Sequence, residues 1–313
     1  RAVAPSEPLA KPVRASQRGV NKGTKRGVEV AGVSITHPQR VLAPLSLTKL
    51  ELARYYEAVA EWMLPHVQGR PLGLVQHRKG SDSGVYLAHD AAFGPHELKR
   101  MQVPLRKKTG HYLVIEDVAG LVSLANFEII EVHGWMSREN DLEHPDRLVF
   151  DVDPDEALPW KDVVAAAEYV RDQLASLGLT SWPRVTGGKG VHVVVPLEPS
   201  MSYRDGLEFA RAFAAHLQQS EPGRFVTQTG AARRKGKVLL DVLRNARAST
   251  AVESYSTRAR PGDPVCVPVS WQELKRGGAV PFSVERVLKR LRATGEPWRE
   301  YWGTPNRVRG RPG

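Results

Sequence analysis

Leu148-Val149-Phe150-Asp151-Val152-Asp153-Pro154 constrains this chain more than any other stretch. Its apolar run is too short for a core helix and rich in β-branched and aromatic residues, so residues 148–150 read as a buried strand. On such a strand, carboxylates at i and i+2 point to one face of the sheet. Two negative charges that close repel each other unless a cation or a shared proton intervenes. A hard divalent ion with oxygen ligands, Mg²⁺ or Mn²⁺, is the simplest remedy. A polar turn punctuated by Pro154 is the other reading of the same residues.

Further short apolar runs, at 72–76, 112–116, 127–132, 191–195 and 238–240, also read as buried strands. Alternation around Gly32 suggests a hairpin over 28–35. Helical periods stand between them. Thr48-Lys49-Leu50-Glu51 has the capping-box form and precedes Leu52, Tyr55, Val59 and Met63, with Pro65 expected to end the helix. Residues 160–177 and 203–217 carry amphipathic stripes, and Ser283 can cap a helix bearing Val284, Val287, Leu288 and Leu291. Strands and helices mix without a strict βαβ rhythm, which predicts an α+β fold with a mixed or largely antiparallel sheet.

The net charge of +11 suggests nucleic acid, but its distribution is uneven. Residues 1–28 carry a net +6, residues 304–313 a net +3, and the body between them only +2. We therefore expect a basic disordered linker over 1–28, a folded domain over 29–303 and a basic tail over 304–313. The ends read equally as solvated tails or as phosphate-seeking arms. The chain begins at Arg1, which suggests a piece of a longer protein. One cysteine, Cys266, rules out an internal disulfide and a cysteine-rich metal site within this chain. No apolar stretch reaches the roughly 20 residues that span a bilayer, and the polar, basic first residues are not expected to act as a secretory signal. A reducing, cytoplasmic setting is expected.

Three further constellations bear on chemistry. Lys237-Val238-Leu239-Leu240-Asp241 is another apolar strand that ends in an acid, and a third carboxylate beside Asp151 and Asp153 would complete a site for two metal ions. Thr186-Gly187-Gly188-Lys189-Gly190-Val191-His192 is glycine-rich, and its backbone N–H groups can cradle an anion. Thr186, Lys189 and His192 would add side-chain donors, although Gly190 stands where a P-loop needs Ser or Thr. The loop also reads as a surface turn, and His192 as a core histidine. Arg244 and Arg258 lie near apolar or turn-like sequence and are candidates to face a site, whereas Arg233–Lys237 reads as a solvated hairpin. Lys49 sits at a helix N-terminus, where an anion is favoured and a cation is not, so with Arg40 it suggests a separate anion site.

The order of Phe150-Asp151-Val152-Asp153-Pro154, Thr186 through His192, and Leu240-Asp241 resembles the three motifs of archaeo-eukaryotic primase superfamily polymerases. The resemblance is closer still to the polymerase domain of bacterial ATP-dependent DNA ligase D, the end-joining ligase. Supporting stretches are Thr48-Lys49 with Tyr55-Tyr56-Glu57, His66-Val67-Gln68-Gly69-Arg70-Pro71-Leu72, His144-Pro145-Asp146-Arg147 and Tyr255-Ser256-Thr257-Arg258-Ala259-Arg260-Pro261-Gly262, so the resemblance spans about residues 29–300. It implies a primase-like catalytic core with an RRM-like sheet flanked by helices. It also implies addition of ribo- or deoxyribonucleotides from NTP or dNTP to a primer 3′-hydroxyl at DNA ends, with Mn²⁺ or Mg²⁺.

By the same resemblance, Asp151, Asp153 and Asp241 are the metal-binding carboxylates, and Thr186, Lys189, His192, Arg244, Arg258 and His133 fall on nucleotide-binding positions. Arg40 and Lys49 correspond to a basic pair for the 5′-phosphate across a gap, and Tyr86 to one of two adjacent aromatics that stack on a template base. The implied partners are gapped or nicked duplex, a fused ligase domain and the bacterial Ku protein, at the nucleoid. The chain departs from the family pattern at Thr186 and Gly188, where serines are usual, and at Val85, where the second aromatic is missing.

Two other classes compete. A haloacid-dehalogenase-type phosphohydrolase also starts from a strand ending in Asp-x-Asp, but needs Thr or Val where Asp155 stands. A non-catalytic nucleic-acid adaptor would use the sheet for phosphate contacts and stacking, but leaves three strand-end acids unexplained.

Overall fold

The computed structural model describes residues 28–77, 85–87, 95–277 and 281–308, and for residues 85–87 and Ala231 the backbone alone. The linker expected over 1–28 therefore lies outside the described residues, apart from Val28.

Val28 opens β1 (Val28–Val30), which pairs antiparallel with β2 (Val33–Ile35). Ala31 and Gly32 both take positive φ between them, the geometry of a tight two-residue hairpin turn. In α1 (Lys49–Val67) the Thr48 hydroxyl accepts from the Glu51 N–H while the Glu51 carboxylate accepts from Thr48. Leu52, Tyr55, Tyr56, Val59 and Met63 are its buried stripe. Pro65 does not end the helix as expected. The chain stays helical to Val67 because tertiary guanidinium groups take up carbonyls of the last turn. Arg138 donates to the carbonyls of Pro65 at 2.8 Å and Gln68 at 2.6 Å, and Arg70 donates to that of His66 at 2.7 Å.

Next come β3 (Leu72–Gln76), β4 (Val85–Leu87), β5 (Lys99–Pro104) and β6 (Thr109–Val114). The last two form a two-stranded sheet of their own, and β6 starts earlier than the run expected at 112–116. After α2 (Val118–Ser123) a 3₁₀ turn over Leu124–Phe127 and a left-handed Glu128 delay the next strand, β7, to Ile129–Gly134 rather than 127–132.

The remaining elements are β8 (Arg147–Pro154), α3 (Trp160–Ser176), β9 (Trp182–Val185), β10 (Val191–Pro196), α4 (Tyr203–Ser220), β11 (Phe225–Val226), α5 (Ala231–Arg234), β12 (Val238–Asp241), β13 (Ala251–Val252), β14 (Val267–Pro268), α6 (Trp271–Arg276) and α7 (Val284–Thr294).

Six strands form the main sheet in the order β11-β12-β8-β10-β9-β14, antiparallel except for β11 beside β12. A second sheet runs β13-β7-β3-β4. The α+β class with a mixed sheet is thus what the structure has. Alternation divides the main sheet cleanly. Phe150, Val152, Val193, Val195 and Leu240 join the core with Val164, Val170 and Leu174 of α3 and Phe213 and Leu217 of α4. The Phe150 and Phe213 rings meet edge to face with centroids 5.1 Å apart. Asp151, Asp153, His192 and Asp241 occupy the opposite parity, so they emerge on the face away from these helices.

The fold continues past residue 303, where the body was expected to end. Asn306 is buried, its Oδ1 accepts from the Thr180 N–H at 2.8 Å, and its amide nitrogen donates to the carbonyls of Thr180 and Pro196. Residues 309–313 lie outside the described residues. Among the described residues, no helix is long and apolar enough to cross a membrane.

Candidate active site

Strand register assembles the site. Asp151 on β8 is the cross-strand partner of Asp241 on β12 and of His192 on β10, and His192 is in turn the partner of Arg184 on β9. One row across four strands therefore reads Arg184, His192, Asp151, Asp241, with Asp153 two residues along on the same face. Asp151, Asp153 and His192 line a cleft of about 200 Å³ together with His133, Gly188, Lys189, Arg244 and Arg258, whereas Arg184 and Asp241 lie outside its lining.

Each carboxylate is balanced by its surroundings. Asp151 lies 3.6 Å from both His192 Nε2 and Arg244 Nε. Burial alone would raise its pKa, but His192 beside it and the guanidinium charges of Arg244 and Arg258 outweigh that and hold the carboxyl below its ordinary value. Asp153 accepts from Arg234 Nη2 at 2.7 Å. Asp241 accepts from the Leu243 N–H at 2.8 Å. The stretch 233–237 is therefore not simply a solvated hairpin: α5 turns Arg234 back onto the carboxylate pair. Among the described residues, no three acidic, histidine or cysteine side chains converge as they stand closely enough to hold a metal ion. Yet three carboxylates on one face, with two of them directly cross-strand, are an oxygen donor set that suits a hard divalent cation. For Asp153 to ligate one, Arg234 must let go.

The glycine-rich loop between β9 and β10 is pinned at its base. Thr186 Oγ1 donates to the Gly190 carbonyl at 3.0 Å and accepts from the Gly188 N–H at 3.4 Å. Arg258 Nη1 donates to the Thr186 carbonyl at 2.6 Å. Gly187 has φ +71, and a Cβ there would meet Arg258 Cγ at 2.8 Å and the Val265 carbonyl oxygen at 2.9 Å. Gly187→Ala is therefore expected to displace the loop and, with the phosphate-cradling role that the family resemblance implies for it, to weaken ATP binding about tenfold or more, read by equilibrium titration. At Gly188 a Cβ would sit 3.1 Å from an Arg260 guanidinium nitrogen, so Arg260 occupies the space beside the glycine that stands in place of serine. Lys189 lines the cleft, although its amine pairs with Glu156 at 2.9 Å near the surface.

Glu131 is a residue that sequence reasoning missed. It sits on β7 two residues before His133, and its Oε2 lies 2.7 Å from His133 Nε2 and 3.2 Å from Arg258 Nε. Its Oε1 accepts from the Ala259 N–H at 2.6 Å. Burial opposes its ionisation, but the hydrogen bond from His133 and the charge of Arg258 prevail and hold its carboxyl at about 2. His133 is pushed below the usual histidine range, chiefly by burial, so it donates as a neutral ring. The depressed acid stabilises the fold above the ordinary value of 4.5, and that contribution is lost as pH falls toward about 2. Glu131→Gln should flatten acid unfolding across that window, as read by unfolding midpoints measured between about pH 2 and 5. The acid–hydrophobe alternation Ile130-Glu131-Val132-His133 was the available signal.

Arg40 and Lys49 come together outside this cleft. Val41 and Thr48 form an isolated bridge, and the Lys49 N–H donates to the Arg40 carbonyl at 2.8 Å. Arg40 pairs with Glu128 at 2.6 Å. Lys49 is buried, and its amine donates to the Asn126 carbonyl at 2.9 Å. The cation at a helix start thus has a protein partner, which the argument from the helix dipole did not anticipate. Desolvation lowers its pKa, with Arg40 adding to the shift and Glu128 opposing it. Tyr86 lies on β4 opposite Val75, and its side chain is outside the described residues.

A sheet that presents strand-end carboxylates beside a glycine-rich loop and convergent arginines is suited to holding a phosphorylated ligand with a divalent cation. The profile of the family described as "LigD, primase-polymerase domain" matches residues 48–298, and the chain belongs to that family. It is 35% identical over 320 residues to the multifunctional non-homologous end joining protein LigD of Pseudomonas aeruginosa, a match covering 98% of this chain and 37% of the relative. It is 32% identical over 274 residues to the corresponding DNA repair protein of Mycobacterium tuberculosis, covering 84% of this chain and 36% of the relative. The chain thus spans a little over a third of these relatives. Its fold matches the polymerase domain of Mycobacterium tuberculosis ligase D, solved in complex with DNA, with a TM-score of 0.80 and 31% identity over 88% of this chain and 99% of that one. The chain is accordingly an enzyme of the nucleotidyltransferase class found in end-joining repair proteins. The phosphohydrolase and the non-catalytic adaptor are set aside.

Proposed function

We propose that this domain adds single nucleotides to a primer 3′-hydroxyl at gapped or broken DNA ends. The observation that carries the reading is the cross-strand row of Asp151, Asp241 and His192 beside the Gly187–Gly188 loop. Divalent cations, Mn²⁺ or Mg²⁺, held by Asp151, Asp153 and Asp241 would lower the pKa of the primer hydroxyl and offset charge on the leaving pyrophosphate. The chain's own groups orient the reaction. The backbone around Gly188 and the Thr186 hydroxyl offer donors to a phosphate, and Lys189, His192, His133, Arg244 and Arg258 surround the triphosphate on its remaining sides. Arg258 also ties this loop to Glu131, so the groups that touch nucleotide are held before it arrives.

Exposed Arg40, with Lys49 buried beside it and joined to it by a backbone hydrogen bond, serves as the 5′-phosphate site on the downstream strand. Tyr86 serves as a stacking platform for a template base. The fused ligase domain and bacterial Ku are the partners proposed for the longer protein, working at the nucleoid. The test compares single-nucleotide extension on a gapped duplex bearing a 5′-phosphate or a 5′-hydroxyl, with ATP or dATP. We expect the phosphate to tighten gap binding in wild type and to matter much less in Arg40→Ala. Equal binding of the two duplexes would remove the 5′-phosphate site, and the ATP-to-dATP ratio gives the sugar preference.

A further inference from the structure

We propose that Arg184 is a positioning residue for nucleotide addition, which fixes His192 as a donor of its Nε2–H into the cleft. The proposal rests on the reading of the cleft as a triphosphate site. Arg184 and His192 are cross-strand partners, and both are buried. Arg184 Nη2 lies 3.0 Å from His192 Nδ1. A guanidinium has only N–H groups to offer and stays protonated, so Nδ1 must present its lone pair there. The opposite tautomer would set two donors face to face at 3.0 Å between two buried side chains. The proton of the neutral ring therefore stands on Nε2, the nitrogen 3.6 Å from Asp151 and on the cleft side.

Arg184 is itself fixed. Its Nη1 donates to Ser254 Oγ at 3.3 Å and lies 3.6 Å from Glu253, whose carboxylate is gripped by both terminal nitrogens of Arg147. Glu253 fits because residue 134 is glycine, since a Cβ there would collide with its Oε1. A buried chain of Arg147, Glu253, Arg184 and His192 thus runs from the core to the catalytic row. The cation behind the ring also polarises it, which strengthens Nε2–H as a donor. His192 is then a pre-aimed neutral donor to a phosphate oxygen and has no free lone pair facing the cleft with which to act as a base.

The experiment is nitrogen-15 NMR of the histidine side chains in the full chain, with His192 assigned by its loss in His192→Gln. In wild type His192 should be protonated at Nε2 and bare at Nδ1; a ring protonated at Nδ1 and bare at Nε2 overturns the proposal. Arg184→Met should mix the tautomers and weaken Mg²⁺–ATP binding about tenfold, whereas Arg184→Lys, which keeps a cationic donor, should recover most of both. A folded Arg184→Met chain with wild-type tautomer and ATP affinity overturns it as well. If Arg184→Met fails to fold, the wild-type spectrum still decides the tautomer. A wild-type spectrum as proposed, with unchanged ATP binding in His192→Gln, removes the triphosphate role of His192 and with it the purpose assigned to Arg184. That outcome differs from failure of the Arg184–His192 contact itself.

Discussion

Asp241→Asn is expected to slow single-nucleotide addition by about three orders of magnitude or more while leaving the fold intact. Asp241 stands at the end of β12 directly across from Asp151, and its carboxylate accepts one backbone hydrogen bond, from Leu243. Asparagine keeps a carbonyl oxygen of the same shape for that bond, so the structural cost is small. What disappears is one of three negative charges on a single face. If those charges hold divalent cations, the loss falls on the reaction rather than on folding. Single-turnover extension gives the rate, and thermal unfolding checks the fold. A folded variant within about tenfold of wild type would remove Asp241 from the site.

The second large effect concerns stability. Glu253 is fully buried between Arg147 and Arg184, and burial alone would favour its neutral form. The adjacent guanidinium groups, Arg147 first, hold its carboxyl below the usual range instead. Glu253→Ala leaves two buried cations without their counter-charge, which costs about 3–5 kcal/mol. That should appear as a clear drop in the urea midpoint at unchanged slope. Because the carboxyl is depressed, its contribution is present above the ordinary carboxylate range and fades as the solution is acidified, so wild type and variant should converge at low pH. Arg147→Met/Glu253→Met should lose less than the sum of the two single changes, since removing both partners strands less charge. A Glu253→Ala midpoint equal to wild type would mean the chain of buried charges contributes nothing to stability.

The sequence shows some of these features and hides others, for physical reasons. Asp151 and Asp153 were legible because period two on an apolar strand fixes which face they share. The Thr48–Glu51 capping box was legible because it is purely local. Pro65 misled because its helix end is rescued by Arg138, seventy-three residues away along the chain. Arg184 lies in the short strand Trp182–Val185, whose proline and arginine gave no strand signal. The stretch Glu253-Ser254-Tyr255-Ser256-Thr257 is polar in sequence yet entirely buried. Its polar groups find distant partners: Ser256 Oγ accepts from the Val132 N–H, and Thr257 donates to the Ile130 carbonyl. Burial of polar residues depends on partners that only the fold brings together. Arg234 was visible as a charge but not as a partner of Asp153, because its approach depends on the turn at α5.

Metal-dependent nucleotide addition driven by the strand-end carboxylates is what the proposed function requires. The most direct measurement is extension of a labelled primer by one nucleotide on a gapped duplex, in Mn²⁺ and in EDTA, for wild type and Asp153→Ala. Extension by wild type in Mn²⁺ alone, absent from Asp153→Ala in both conditions, is the predicted result. Tight binding of wild type to the gap with no extension in Mn²⁺, or extension by Asp153→Ala at the wild-type rate, would contradict it.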